Sequence, residues 1–218
     1  MKIVDLSEQN SLLSTYIREL RDVTIQNDRL RFRRNIERIG EIMAYEISKT
    51  MNYKEIEVDT PLSKAMANKL NEQVVISTIL RAGLPFHHGF LNYFDNAENA
   101  FVSAYRKYKE SHESFSIHIE YIASPCIENK TLIITDPMLA TGGSMELTYK
   151  SLLTKGVPAK IHVASIISSK QAIDYCCQHF PEDKTTIWTA AIDPFLDNNS
   201  YIVPGLGDAG DLAYGIKE

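Results

Sequence analysis

Three short stretches of this 218-residue chain set glycines beside residues that bind anions or polar rings. The first is Asp136-Pro137-Met138-Leu139-Ala140-Thr141-Gly142-Gly143-Ser144, between an apolar run and a helical pattern. Amides that open a helix point outward and carry the positive end of its dipole, so they suit a phosphate dianion. Gly142 and Gly143 permit close backbone approach and positive φ, and Thr141 and Ser144 can add hydroxyl donors. Asp136, at the end of the apolar run, can hold ribose hydroxyls or orient a hydrated Mg²⁺. No lysine follows the second glycine, so this is not a Walker loop, nor is it a G-x-G-x-x-G loop. The competing reading is an ordinary turn closed by Asp and Gly.

The second stretch is Leu80-Arg81-Ala82-Gly83-Leu84-Pro85. Arg81 offers a permanent charge and a fork of donors matched to phosphate oxygens. An isolated arginine is otherwise read as a surface ion pair. Arg106, after Tyr105, is a second candidate of this kind. His87 and His88 follow the turn, but adjacent helical residues point about 100° apart and do not share one ion, so packing or surface roles are expected. The third stretch, Tyr201-Ile202-Val203-Pro204-Gly205-Leu206-Gly207-Asp208-Ala209-Gly210-Asp211, sets three glycines around a proline. It folds tightly, either as a ligand loop or as a C-terminal turn.

The elements around these stretches read as an α/β pattern. Val74 to Leu80 and Thr131 to Thr135 are short β-branched runs typical of buried parallel strands. Further strands are expected near residues 100–105, 115–121, 161–167 and 187–192, with helices over 84–94 and 144–155. Strands alternating with helices predict a mostly parallel central sheet flanked by helices. In such sheets ligands sit beyond the carboxyl ends of the strands, which is where the first two stretches fall. Residues 11–49 carry Ile36, Ile39, Ile42, Met43 and Ile47 at helical steps, with seven arginines between Arg18 and Arg38. Glu19, Asp22, Asp28 and Glu37 offset that charge, so a mixed surface or subunit-facing helix is expected rather than a phosphate patch.

The net charge of −5 argues against a broad basic face for nucleic acid, though not against a local anion site. No apolar run approaches the roughly 20 residues of a membrane span, and residues 1–10 lack a secretory pattern. The three cysteines, Cys126, Cys176 and Cys177, form no C-x-x-C pair and read as reduced thiols of a cytoplasmic protein.

Taken together, Ile134 to Ser144, the Arg81 turn and the 201–211 string resemble the uracil phosphoribosyltransferase family over most of the chain. The broader phosphoribosyltransferase class carries two adjacent acids at the head of the first loop. Pro137 stands in the second place here, as in the uracil branch, leaving Asp136 as the one carboxylate. The resemblance implies a type I phosphoribosyltransferase-like fold with a small base-binding hood, one domain over 1–218 and a helical N-terminal segment over 1–50. It implies that uracil and 5-phosphoribosyl 1-pyrophosphate (PRPP) yield UMP and pyrophosphate in pyrimidine salvage. By the same resemblance Arg81, Arg106, residues 136–144 and Asp208 bind PRPP. Ile202, Gly207, Asp208 and Ala209 bind uracil, and Asp208 and Arg106 act in catalysis. Mg²⁺ is expected, held mainly through PRPP, with GTP as an effector and a homodimer or larger homo-oligomer. No nucleic acid or membrane partner is expected, and residues 107–113 are a candidate cover for the ligand. Rival readings are an enzyme of the same class acting on another base, an RNA-binding regulator on the same fold, and a structural α/β protein.

Overall fold

The computed structural model describes residues 1–108 and 115–217, with side chains outside 104–119. In chain order the elements are β1 (Lys2–Asp5), α1 (Leu12–Arg21), α2 (Arg29–Ser48), β2 (Tyr53–Asp59), β3 (Lys64–Leu70), β4 (Val74–Leu80), α3 (Gly83–Leu91), β5 (Glu98–Tyr108), β6 (Phe115–Ala123) and β7 (Thr131–Thr135). They continue with β8 (Met138–Leu139), α4 (Gly143–Leu152), β9 (Lys160–Ser169), α5 (Lys170–His179), β10 (Thr185–Asp193), β11 (Phe195–Leu196), β12 (Ile202–Val203) and α6 (Ala209–Tyr214). The main sheet runs β1-β10-β9-β7-β4-β5-β6, with β8 beside β9, and β5 with β6 is its antiparallel pair. The expected mostly parallel sheet flanked by helices is therefore present.

Alternation along the strands builds two cores. Val74, Ile76, Ile133, Ala164 and Trp188 face α1, α2 and α3. Val75, Ile79, Leu132, Ile134, Val163 and Ile187 face α4 and α5. Fully buried side chains such as Ile36, Ile76 and Ile133 each contribute about 1.5–3 kcal/mol relative to exposure. The α2–α3 crossing is closer than side chains would permit, since a Cβ on Gly89 would lie 2.1 Å from the Glu37 carbonyl oxygen. This crossing fixes α3 and thereby the turn that precedes it.

The predicted helix over 11–49 is two helices. The Asp22 carboxylate accepts from the amide and hydroxyl of Thr24 (2.9 and 2.6 Å) and turns the chain. Asp28 then caps α2 through the Arg31 amide at 3.0 Å. Five elements carry no sequence reading above: the edge strand β1, the β2–β3 hairpin, α5 and β11. Among the described residues no helix is long and apolar enough to cross a membrane.

Candidate active site

The first two candidate stretches leave neighbouring strands. β4 and β7 pair in parallel with Thr78 beside Thr135, so the Arg81 turn and the 136–144 loop start side by side at the carboxyl edge. The 136–144 loop is fastened along β9. The Asp136 amide donates to the Ala164 carbonyl (3.1 Å), and the Pro137 carbonyl accepts from Ile166 and Ile167 (3.1 and 3.0 Å). Proline fits here because its carbonyl makes these bonds and no N–H is required of it. Met138 and Leu139 then pair with Ile167 and Ser168. An Asp136 carboxylate oxygen accepts from the Met138 amide at 3.2 Å, closing the turn.

The second half of the loop rests on α5. Ser169 caps α5 through the Ala172 amide (2.9 Å) and donates its hydroxyl to the Ala140 carbonyl (2.6 Å). Gly142 has φ +84°, and a Cβ there would lie 2.6 Å from the Tyr175 ring. Glycine is therefore required both by conformation and by space. The Tyr175 hydroxyl donates to Glu146 at 2.6 Å, and this bond, with burial, pushes it up to about 12. Thr141 Oγ1 accepts from the Gly143 amide at 3.4 Å, and Ser144 sits half-buried in the first turn of α4.

Helix starts differ in a telling way. Ser11, Asp28, Ser169 and Asp208 cap α1, α2, α5 and α6 with their side chains, whereas α3 and α4 carry no side-chain cap. Those two begin at the two candidate phosphate turns, and uncapped opening amides are donors available to an anion.

Arg81 reaches toward the third stretch. Its guanidinium donates to Asp211 Oδ1 (2.9 Å) and to the Gly215 carbonyl (3.3 Å). Gly83 serves packing, for a Cβ on it would lie 2.2 Å from Thr78 Oγ1. Asp208 accepts from the Asp211 amide (2.9 Å) and pairs with Lys217 (3.3 Å). Burial pushes the Asp208 carboxyl up, but the Asp211 amide and Lys217 outweigh it and hold the group below its ordinary value. Ile202 and Ala209 are buried against the α1–α2 core. Gly207 has φ +94°, and a Cβ there would meet only the Leu212 side chain, at an ordinary 3.8 Å. The side chain of Arg106 lies outside the described residues, as do residues 109–113 of the candidate cover.

His87 is buried and tilted against Phe101, ring centroids 5.2 Å apart, and burial lowers it to about 4. It packs as a neutral side chain, while His88 is exposed. Several arginines of the early segment bond within the chain. Arg21 pairs with Asp193 and Arg31 with Glu19 (2.8 and 2.7 Å), and Arg33 donates to the Ala213 carbonyl at 2.7 Å. They brace the third stretch and the α1–α2 junction. Ser169, Tyr175 and Asp193, which support the loops, belong to no sequence motif. The one sequence signal toward Tyr175 is Gly142, whose bare backbone permits a close neighbour.

A mostly parallel sheet whose candidate phosphate turns leave adjacent strand ends, with Arg81 bonded to a glycine-rich segment, has the fold of a type I phosphoribosyltransferase. A solved hypoxanthine phosphoribosyltransferase from Staphylococcus aureus shares this fold, with TM-score 0.50 and 13% identity over 86% of this chain and 84% of that one. The chain belongs to the uracil phosphoribosyltransferase family, whose model matches residues 7–216, and is an enzyme of that class. A uracil phosphoribosyltransferase of Porphyromonas gingivalis is 67% identical over the full length of both chains. One from Methanothermobacter thermautotrophicus is 39% identical over 84% of this chain and 83% of its own. The solved AQ2163 protein from Aquifex aeolicus matches with TM-score 0.86 and 31% identity over 98% of each chain.

Proposed function

We propose that the chain transfers the phosphoribosyl group of PRPP to N1 of uracil, giving UMP and pyrophosphate in pyrimidine salvage in the cytoplasm. The observation that carries this reading is the adjacency of the Arg81 turn and the 136–144 loop, with Arg81 bonded to the third stretch through Asp211. In the reaction the C1′–oxygen bond to pyrophosphate breaks, the C1′–N1 bond forms, and the N1 proton leaves. Positive charge builds on the sugar ring, so the protein chiefly orients the reactants and stabilises charge.

The amides that open α4, with the Thr141 and Ser144 hydroxyls, hold the 5′-phosphate. Met138, Leu139 and Ala140 carry the backbone that frames it, and Gly142 and Gly143 admit it. Asp136 takes the ribose hydroxyls as the only carboxylate at the loop head, with Pro137 beside it. Arg81 and Arg106 assist departure of pyrophosphate. The backbone around Ile202, Gly207 and Ala209 matches the carbonyls and N3–H of uracil, and Asp208 lies between base and sugar, where its negative charge favours the cationic ring. Cytosine would leave such groups unpaired.

Phosphoribosyltransferases generally use Mg²⁺ with PRPP. The residue that fits such an ion is Asp136, the carboxylate at the head of the 136–144 loop, which would orient a hydrated ion carried by the pyrophosphate. When bound, the ion neutralises the leaving group. The reading extends to a homo-oligomer and to GTP as an effector, which light scattering and assays with added GTP would test.

The experiment is to combine the folded protein with uracil, PRPP and Mg²⁺ and measure UMP. UMP is expected, and chelation with EDTA is expected to abolish it. Absence of UMP both with and without GTP would overturn the proposal.

A further inference from the structure

The 201–211 segment is tied to the rest of the molecule by a closed ring of charged bonds. Arg21, the last residue of α1, gives both terminal nitrogens to the Asp193 carboxylate, each at 2.8 Å. The same guanidinium donates to the Gly205 carbonyl at 3.0 Å, and the Gly205 amide donates back to Asp193 at 2.8 Å. Both backbone polar groups of Gly205 are thereby held by this one ion pair. The Asp193 side chain is 6% exposed and that of Arg21 24%. The turn has no room for a side chain, since Gly205 has φ +55° and a Cβ on it would lie 2.0 Å from the Ile202 carbonyl oxygen. Gly205 stands three residues after Ile202 and two before Gly207, so its placement sets the course of the segment on either side. A buried carboxylate left without its partner is costly, so the ring closes or opens as a unit.

We propose that Arg21 and Asp193 are positioning residues for base recognition. They fix the backbone of Gly205, and through it the presentation of Ile202 and Gly207, without touching base or PRPP. This inference rests on the reading that 202–209 seats uracil. The 136–144 loop is braced separately by β9 and α5, and Asp208 by the Asp211 amide and Lys217, so loss of the ring acts on uracil and spares PRPP.

The test is steady-state kinetics of Arg21→Ala, Arg21→Lys, Asp193→Asn and Gly207→Ala against both substrates, with thermal midpoints recorded. Arg21→Ala is expected to raise KM for uracil about ten-fold or more, with KM for PRPP within about two-fold. Arg21→Lys keeps the charge but loses the fork, so its uracil KM should fall between wild type and alanine. Should Arg21→Ala fail to fold, Arg21→Lys and Asp193→Asn carry the same comparison. Parallel movement of both KM values, or an unchanged uracil KM in the ring variants, overturns the proposal. A raised uracil KM in Gly207→Ala alone would sink the ring and leave the base-segment reading standing. An unchanged uracil KM in Gly207→Ala would sink that reading itself, and the inference with it.

Discussion

The 136–144 loop and the 201–211 segment are both glycine-rich turns, but they are held by opposite means. The 136–144 loop is braced by neutral bonds from β9 and α5, which follow it closely in the chain. The 201–211 segment is braced by charges, chief among them the Arg21–Asp193 pair, whose members are 172 residues apart. The loop proposed to grip a constant group, phosphate, is built into the sheet. The segment proposed to select the base is pinned by side chains of the N-terminal helices and of β10. If the proposed roles hold, specificity and grip are braced separately, and variants should divide along that line.

The most severe break should come from Gly142→Val. A side chain there meets the Tyr175 ring and demands an unfavourable φ, so the loop must shift. Misplacement of a binding group by about 1 Å costs on the order of 100-fold in rate, and KM for PRPP should rise with it. A fully active variant would contradict the brace from α5.

Asp208→Asn comes next. It keeps the cap on α6 but removes the charge beside the sugar, and kcat should fall by about 100-fold. The Asp208 carboxyl is held below its ordinary value of 3.8. It is ionised at neutral pH, so it should contribute no limb to the activity profile above that value. Whatever stability its charge adds is present above 3.8 and lost as pH falls through the lower folded value. Wild-type turnover in the folded variant would remove the charge role.

A smaller effect concerns the frame that carries Arg21. Glu19 binds Arg31 and Asn35 between α1 and α2. The bond from Arg31, then that from Asn35, holds it at about 2, against burial. Its contribution to stability is complete above the ordinary value of 4.5 and is lost as pH falls through about 2. Thermal midpoints measured across that window should decline less steeply in Glu19→Gln than in the wild type. Equal slopes would show that the pair does not couple the two helices.

The smallest effect should be that of Tyr175→Phe, which leaves the ring under Gly142 and removes only the bond to Glu146. A loss of about 1 kcal/mol in stability is expected, with KM for PRPP unchanged. A large rise in that KM would move the brace from the ring to the hydroxyl.

The same contrast explains what the sequence made legible. β7 was read at its observed bounds and β4 likewise, because an unbroken β-branched run fits a strand buried on both faces. The 136–144 loop was readable because its glycines, hydroxyls and following helix lie together. α5 was not, since only Ala172, Ile173 and Cys176 of its ten residues are buried. The β2–β3 hairpin was missed for a related reason: Ile56 and Val58 alternate with charges, but the strands face solvent along most of their length. The break at residues 22–28 follows from two aspartates that cap turns, a local signal overridden above by the longer helical period. Arg21 and Asp193 had no signal at all. Each is an ordinary charged residue until the fold brings the end of α1 to the end of β10.

The division of labour between the two regions is tested most directly by the choice of base. With PRPP and Mg²⁺ held constant, kcat/KM should be compared for uracil, cytosine, hypoxanthine and guanine. Uracil is predicted to exceed cytosine by about 10⁴-fold, as a site built on hydrogen bonds rejects a base that leaves them unmade. Nucleotide formation from cytosine or a purine at a rate comparable to uracil would contradict the assignment of the 201–211 segment as the seat of the base.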